Sequence, residues 1–98
     1  MLKWTRENTL KPVLPNKSGI YKLYDHNRRL LYVGHAENLR HRVQSYREVD
    51  DPKVHPTKTV LRNKISYYQF TPLPLNKAKE VEKKVKQHAK YNYLWGID

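Results

Sequence analysis

Two short apolar, aromatic-rich runs in the first half of the chain predict a β-hairpin. Residues 19–25 and 29–34 are rich in β-branched and aromatic side chains, which favour a pleated surface. Asp25, at the end of the first run, and Asn27, between the two runs, tolerate turn geometry. The spacing therefore predicts two strands joined by a polar turn.

The pattern changes to a helical period directly after the hairpin. Apolar residues recur there at spacings of four and three, as expected for one face of a helix: Leu39, Val43 and Tyr46. This spacing predicts a helix over about residues 37–47, and Asn38 is a suitable N-terminal cap. Arg42 is expected beside the apolar face.

The second half of the chain predicts one further strand and one further helix. Residues 65–71 form a strand-like run that prolines end. A helix is predicted over about residues 77–90, capped by Asn76, with a narrow apolar stripe among many charges: Ala78, Val81, Val85, His88 and Ala89. The order β-β-α-β-α predicts an α+β fold in which helices flank a small three-stranded antiparallel sheet.

The remaining segments are predicted to connect these elements within one domain, residues 1–98, since that length suits a single core of modest size. Residues 1–18 form an extended lead-in to the first strand. Residues 50–56 contain prolines and acidic residues and predict an exposed loop, and residues 57–63 predict a short helical turn. The aromatic residues 91–96 are expected to pack back on the body.

The charge of the chain indicates a polyanionic partner. Twenty Lys and Arg against nine Asp and Glu give a formal net charge of +11, which produces a strong positive potential on a small body. Eight Tyr, two Trp and one Phe accompany these bases, and the combination favours nucleic acid over an anionic membrane. The alternative is a basic protein whose charge serves solubility alone.

The absence of cysteine excludes disulfides and Cys-ligated zinc, and it fits an intracellular protein. The first ten residues lack the apolar core of a signal peptide, and no apolar run approaches the roughly 18 residues of a membrane span. We therefore expect a cytoplasmic, nucleoid-associated protein that does not bind membranes.

Two tripeptides and the residues after them carry a family signal. Gly19-Ile20-Tyr21 and Tyr32-Val33-Gly34 stand at hairpin spacing, and an Asn38-Leu39 pair, Arg42 and Tyr46 follow in order. This order resembles the GIY-YIG nuclease family, with Val in place of the second Ile. The resemblance covers nearly the whole chain, because a matching acidic helix follows. It implies a three-stranded antiparallel sheet with flanking helices and metal-dependent hydrolysis of DNA phosphodiester bonds.

The resemblance also assigns catalytic roles. Tyr32 is the expected general base, Tyr21 positions phosphate or water, Arg42 clamps phosphate oxygens through its fork, and Tyr46 belongs to the same catalytic set. Tyrosines on a hairpin otherwise commonly pack in the core, and a helical arginine in so basic a chain is ordinarily solvated. Arg42 differs from Arg40 in this prediction, because Arg42 is expected on the apolar side of its helix.

The family's metal-binding glutamate lies on the late helix, where Glu82 and Glu80 are the candidates. Helical phase favours Glu82, because Val81 before it and Val85 after it match the family's apolar positions. The resemblance implies that Glu82 holds Mg²⁺ or Mn²⁺, with waters completing the coordination. The ordinary alternative for Glu82 is an i, i+4 surface pair with Lys86.

Two further residues are candidates for substrate binding. His35 follows the second motif, where many family members carry Lys or a hydroxyl residue, so it contacts a phosphate or assists proton transfer, or else is an exposed loop histidine. Asn92, after Tyr91, resembles a Tyr-Asn pair of the family, although the family's preceding proline is absent and the spacing from Glu82 is shorter.

These residues predict a magnesium-dependent DNA endonuclease, in which water attacks phosphorus under the influence of Tyr32. No sequence-reading module accompanies the motifs, so target choice is expected to come from DNA shape, from a homodimer or from a separate specificity-giving partner. The alternative is a non-catalytic DNA-binding module that retains the fold. The combination of tyrosines, arginine and glutamate argues against it, because binding alone needs no carboxylate facing a phosphate.

Overall fold

Four strands and two α-helices form the part of the chain that this computed structural model describes, residues 1–9, 13–46 and 64–88. In chain order the elements are strand β1 (Leu2–Lys3), a 3₁₀ turn (Glu7–Thr9), strand β2 (Gly19–Tyr24), strand β3 (Leu30–Ala36), helix α1 (Leu39–Ser45), strand β4 (Tyr67–Pro72) and helix α2 (Leu75–His88).

The strands form one antiparallel sheet in the order β1-β4-β2-β3. In its register Tyr21 lies opposite Gly34 of β3 and Phe70 of β4. The predicted α+β fold with a small antiparallel sheet is confirmed. The sheet has one strand more than predicted, because Leu2 pairs with Tyr68 at its edge. A two-residue strand leaves no alternating pattern in the sequence, so residues 1–18 were expected to be a lead-in only.

The hairpin turn between β2 and β3 is organised by Asp25. Its carboxylate accepts hydrogen bonds from the backbone N–H groups of Asn27, at 2.9 Å, and Arg29, at 2.8 Å. Arg28 adopts a left-handed backbone conformation, φ 61°, between these two residues. The predicted polar turn is confirmed, and it sets the register that brings the two motif tyrosines to neighbouring strands.

The two helices begin differently. At α1 the side chain of Asn38 accepts a hydrogen bond from the backbone N–H of His41 at 3.0 Å, which confirms the predicted cap. At α2 the predicted cap is wrong, because the helix begins at Leu75 and Asn76 lies within its first turn. The carbonyl of Pro74 accepts the first helical hydrogen bond, from the backbone N–H of Ala78 at 2.9 Å. Proline suits this position, because a residue before the helix donates no helical hydrogen bond.

The sheet separates two apolar layers. The larger layer lies on the α1 side and contains most of the buried residues: Leu14, Tyr21, Leu23, Leu31, Tyr32, Ala36, Leu39, Val43, Tyr46, Ile65 and Tyr68. The smaller layer lies under α2, where Ile20, Val33 and Ala78 are buried and Leu73, Val81 and Val85 pack against them. β3 is the last strand of the sheet, so its outer edge is not paired with another described strand.

The predicted loop over 50–56, the helical turn over 57–63, and the tail over 91–96, which includes Asn92, lie outside the described residues. Among the described residues, no helix combines the length and the apolar character that crossing a membrane requires.

Candidate active site

Three tyrosines of the predicted site form one buried cluster on the α1 side of the sheet. The hydroxyl groups of Tyr21 and Tyr46 are hydrogen-bonded at 2.9 Å, and the ring of Tyr21 lies 6.1 Å from that of Tyr32, centroid to centroid. Burial, followed by the contact with Tyr21, raises the pKa of Tyr46 far above its ordinary value. Tyr46 therefore stays neutral and serves as a hydrogen-bonding group. Tyr32 retains 8% exposure at the edge of the cluster.

Gly34 makes room for this cluster. A Cβ atom at this position would lie 2.6 Å from the hydroxyl oxygen of Tyr21 and 2.9 Å from Cε2 of Tyr32. Both distances are shorter than real side chains tolerate. The glycine of the second tripeptide is thus required by the close approach of the tyrosine of the first.

Glu82 lies on the other side of β3, on the face of α2 that packs against the sheet. One of its carboxylate oxygens contacts Nδ1 of His35. Its second oxygen, Oε1, lies 3.1 Å from Nζ of Lys86. The side chain of Glu82 is 14% exposed, whereas that of Glu80 is 61% exposed and lies 4.0 Å from Lys77. Of the two candidate carboxylates, the structure brings Glu82 and not Glu80 to the hairpin.

Lys86 connects the tyrosine cluster to the carboxylate. Its Nζ lies 5.6 Å from the ring centroid of Tyr32 as well as 3.1 Å from Glu82. A tyrosine of the α1 layer and a carboxylate of the α2 layer therefore meet around one lysine at the edge of β3. The sequence pattern indicated Lys86 only as the partner of a surface pair.

Arg42 is exposed, and its charge acts on the buried Tyr46, where it opposes the rise in the pKa of that residue. Arg40 is the half-buried arginine of this helix, with Nε donating to the carbonyl of Leu14 at 2.8 Å. The cause is the segment before β2, which covers that side of α1: the backbone N–H of Leu39 donates to the carbonyl of Lys17 at 2.9 Å. This long-range contact is invisible to helical periodicity.

Arg42 instead lines a cleft of about 390 Å³ between α1, the end of β3 and α2. His35 and Lys79 line this cleft and also line a second groove that continues along α2 past Glu82 and Lys83. We call the two together the α2 groove. Arg42 lines the first part of the α2 groove and Glu82 the second. Nothing in the sequence pattern distinguished Lys79 from the other lysines of the helix.

A family model supports the motif-based interpretation. The model of the UvrC-like GIY-YIG domain matches residues 17–72, which is more than half of the chain. The chain belongs to this family. The chain is homologous to the GIY-YIG domain of UvrC, which is a nuclease domain. The matched residues contain both tripeptides and α1, but not α2.

Curated relatives match a short part of the chain. A segment of 43 residues is 46% identical to the UvrABC system protein C of Helicobacter pylori and covers 44% of this chain and 7% of that protein. A segment of 46 residues is 50% identical to the protein of the same name from Campylobacter jejuni, covering 47% of this chain and 8% of that protein. These relatives are therefore many times longer than the part that is shared.

Solved structures extend the similarity to most of the fold. The GIY-YIG N-terminal endonuclease domain of UvrC from Thermotoga maritima, as a point mutant bound to its catalytic divalent cation, superposes with a TM-score of 0.68. The sequences are 19% identical, and the match covers 85% of this chain and 87% of that one. A second structure of that domain contains magnesium as its catalytic cation and has a TM-score of 0.67. At this identity the match shows the fold.

Proposed function

We propose that this GIY-YIG domain is a DNA endonuclease that hydrolyses phosphodiester bonds with one bound divalent cation, Mg²⁺ or Mn²⁺. The observation that carries the proposal is the arrangement at the edge of β3, where the amine of Lys86 is near both the ring of Tyr32 and the carboxylate of Glu82. The α2 groove, with Arg42 in its wall, passes this point. A basic groove next to a tyrosine and a half-buried carboxylate suits the cleavage of a polyanion.

Hydrolysis requires a base for the attacking water and positive charge at the phosphorus. In our assignment Tyr32 first releases its phenolic proton to solvent. The water oxygen then bonds to phosphorus, the proton of the water passes to the Tyr32 oxygen, and the bond to the leaving strand end breaks. The leaving oxygen takes a proton from solvent. Lys86 supplies positive charge beside Tyr32, and the Arg42 guanidinium binds two phosphate oxygens through its fork. Tyr21 and Tyr46, hydrogen-bonded to each other, hold the aromatic cluster in position.

Glu82 is the residue we assign to the metal. A bound cation would supply Lewis-acid stabilisation of the leaving oxygen. The donor set fits a hydrated ion, because Mg²⁺ is commonly held by one or two carboxylates with waters and substrate phosphate. The described residues contain no group of three or more His, Cys, Asp or Glu that would form a dedicated cage. His35 contacts the same carboxylate and is assigned to orient it and to contact the phosphate.

DNA is the proposed substrate, inside the cell, in repair or recombination. The net charge of +11 and the similarity to UvrABC system protein C support this assignment. Target choice would come from DNA shape, from a homodimer or from a separate partner, and Asn92 remains a candidate substrate-binding residue. The competing function is a DNA-binding module without catalysis. It is favoured by one observation, that both oxygens of Glu82 contact basic side chains within the protein.

A plasmid-nicking assay across a magnesium titration tests the proposal. The parent protein should nick only in the presence of the cation. Glu82→Gln should lose nicking, because the negative charge that binds the metal is removed, and it should still bind DNA. Glu80→Gln is the matched control on the same helix and should nick as the parent does. Nicking by Glu82→Gln with an inactive Glu80→Gln would show that the wrong carboxylate was assigned. An inactive parent that binds DNA would favour the non-catalytic module.

A further inference from the structure

We propose that Lys79 and Lys83 bind the phosphates of the DNA strand next to the cleavage point. The two lysines lie at i and i+4 on α2, so their side chains leave the helix on the same side. Lys79 lines both parts of the α2 groove, and Lys83 lines the part next to Glu82. This inference rests on the proposed function, because it takes DNA as the ligand.

Both amines are open to a ligand. Lys79 and Lys83 are exposed, and neither forms an ion pair with another residue in the part of the chain that the structure describes. Two other lysines of α2 are differently placed, since Lys77 lies 4.0 Å from Glu80 and Lys86 lies 3.1 Å from Glu82. An ammonium group carries three donors and binds a phosphate as a compact point charge.

The spacing of the two lysines fits a phosphodiester backbone. Four residues of α-helix advance about 6 Å, so the two amines can reach neighbouring phosphates of a strand that runs along the helix. Lys79 and Lys83 therefore contact two successive phosphates of one strand. With Arg42 also in the wall of the α2 groove, this places the strand along α2, passing His35 and Glu82.

Lys84 provides a matched control. It lies five residues after Lys79, about 140° around the helix, and it does not line the α2 groove as the described residues define it. Replacing Lys84 by methionine removes the same charge from the same helix. Both Lys79 and Lys84 are exposed, so neither substitution should disturb folding.

The test is binding of a short duplex DNA, measured between about 50 and 200 mM salt. Divalent metal is left out so that the DNA is not cleaved. Each lost phosphate contact should reduce the slope of log K against log salt by about 0.9. We expect this reduction for Lys79→Met and for Lys83→Met, and an unchanged slope for Lys84→Met and Lys79→Arg. The affinity deficit of Lys79→Met should accordingly shrink about 3.5-fold across this salt range.

Two results would overturn the inference. If Lys84→Met reduces the slope as much as Lys79→Met, the DNA responds to overall charge and the α2 groove is not its path. If Lys79→Met and Lys83→Met keep the parent slope, neither lysine contacts a phosphate. A parent slope near zero is a different result, since it would refute DNA as the ligand and with it the proposed function.

Discussion

Replacing Gly34 by alanine should destabilise the protein and disable its site, because the ring of Tyr21 lies directly against this glycine. The new Cβ would lie 2.6 Å from the hydroxyl oxygen of Tyr21 and 2.7 Å from its Cζ, whereas ordinary contact begins at 3.4 Å. The ring would have to move by about 0.8 Å in a close-packed interior. Tyr21 is completely buried, so little space is available for this movement.

The expected cost follows from this overpacking. Inserting a methyl group into a well-packed core typically costs about 1–3 kcal/mol. For a domain of this size, that loss lowers the midpoint of thermal unfolding by about 5–20 °C. The displaced ring also perturbs the 2.9 Å hydrogen bond between Tyr21 and Tyr46. We therefore expect weaker DNA cleavage even at temperatures where the variant is folded.

Urea unfolding of a double-mutant cycle with Tyr21→Leu isolates the contact. Leucine lacks both the Cζ and the hydroxyl group that the new Cβ would meet, so Gly34→Ala should cost clearly less in that background. The reasoning would be refuted if Gly34→Ala cost the same in both backgrounds. It would also be refuted if Gly34→Ala alone were as stable as the parent.

Two further predictions concern the basic side chains around the α2 groove. Arg42→Ala should reduce the nicking rate about a hundredfold to a thousandfold with unchanged stability. Arg40→Ala should lower the free energy of unfolding, measured in urea, by about 1–2 kcal/mol, because the 2.8 Å hydrogen bond from Arg40 to the carbonyl of Leu14 is lost. The opposite pattern would exchange the roles of the two arginines. Lys86→Met should bind Mn²⁺ up to about fivefold more tightly in calorimetry, since the competing cation beside Glu82 is removed. Unchanged Mn²⁺ affinity would count against Glu82 as the metal ligand.

Local patterns were sufficient for the elements whose causes lie within a few residues. The hairpin follows from two runs of β-branched and aromatic residues and from the turn at Asp25. The start of α1 follows from the capping side chain of Asn38. The tripeptides identified the family on the same local basis. These features involve short-range contacts, so the neighbouring sequence contains the information that determines them.

Tertiary contacts decided the features that join distant parts of the chain. The segment before β2 covers one side of α1, which leaves Arg40 half-buried and Arg42 in the wall of the α2 groove. Helical phase favoured Glu82 over Glu80, but the contact with His35, 47 residues away, depends on how α2 packs across the sheet. Sequence by itself thus determined which residue types were present and on which element. Their meeting at the edge of β3 required the packing of two apolar layers against one sheet, which no local period encodes.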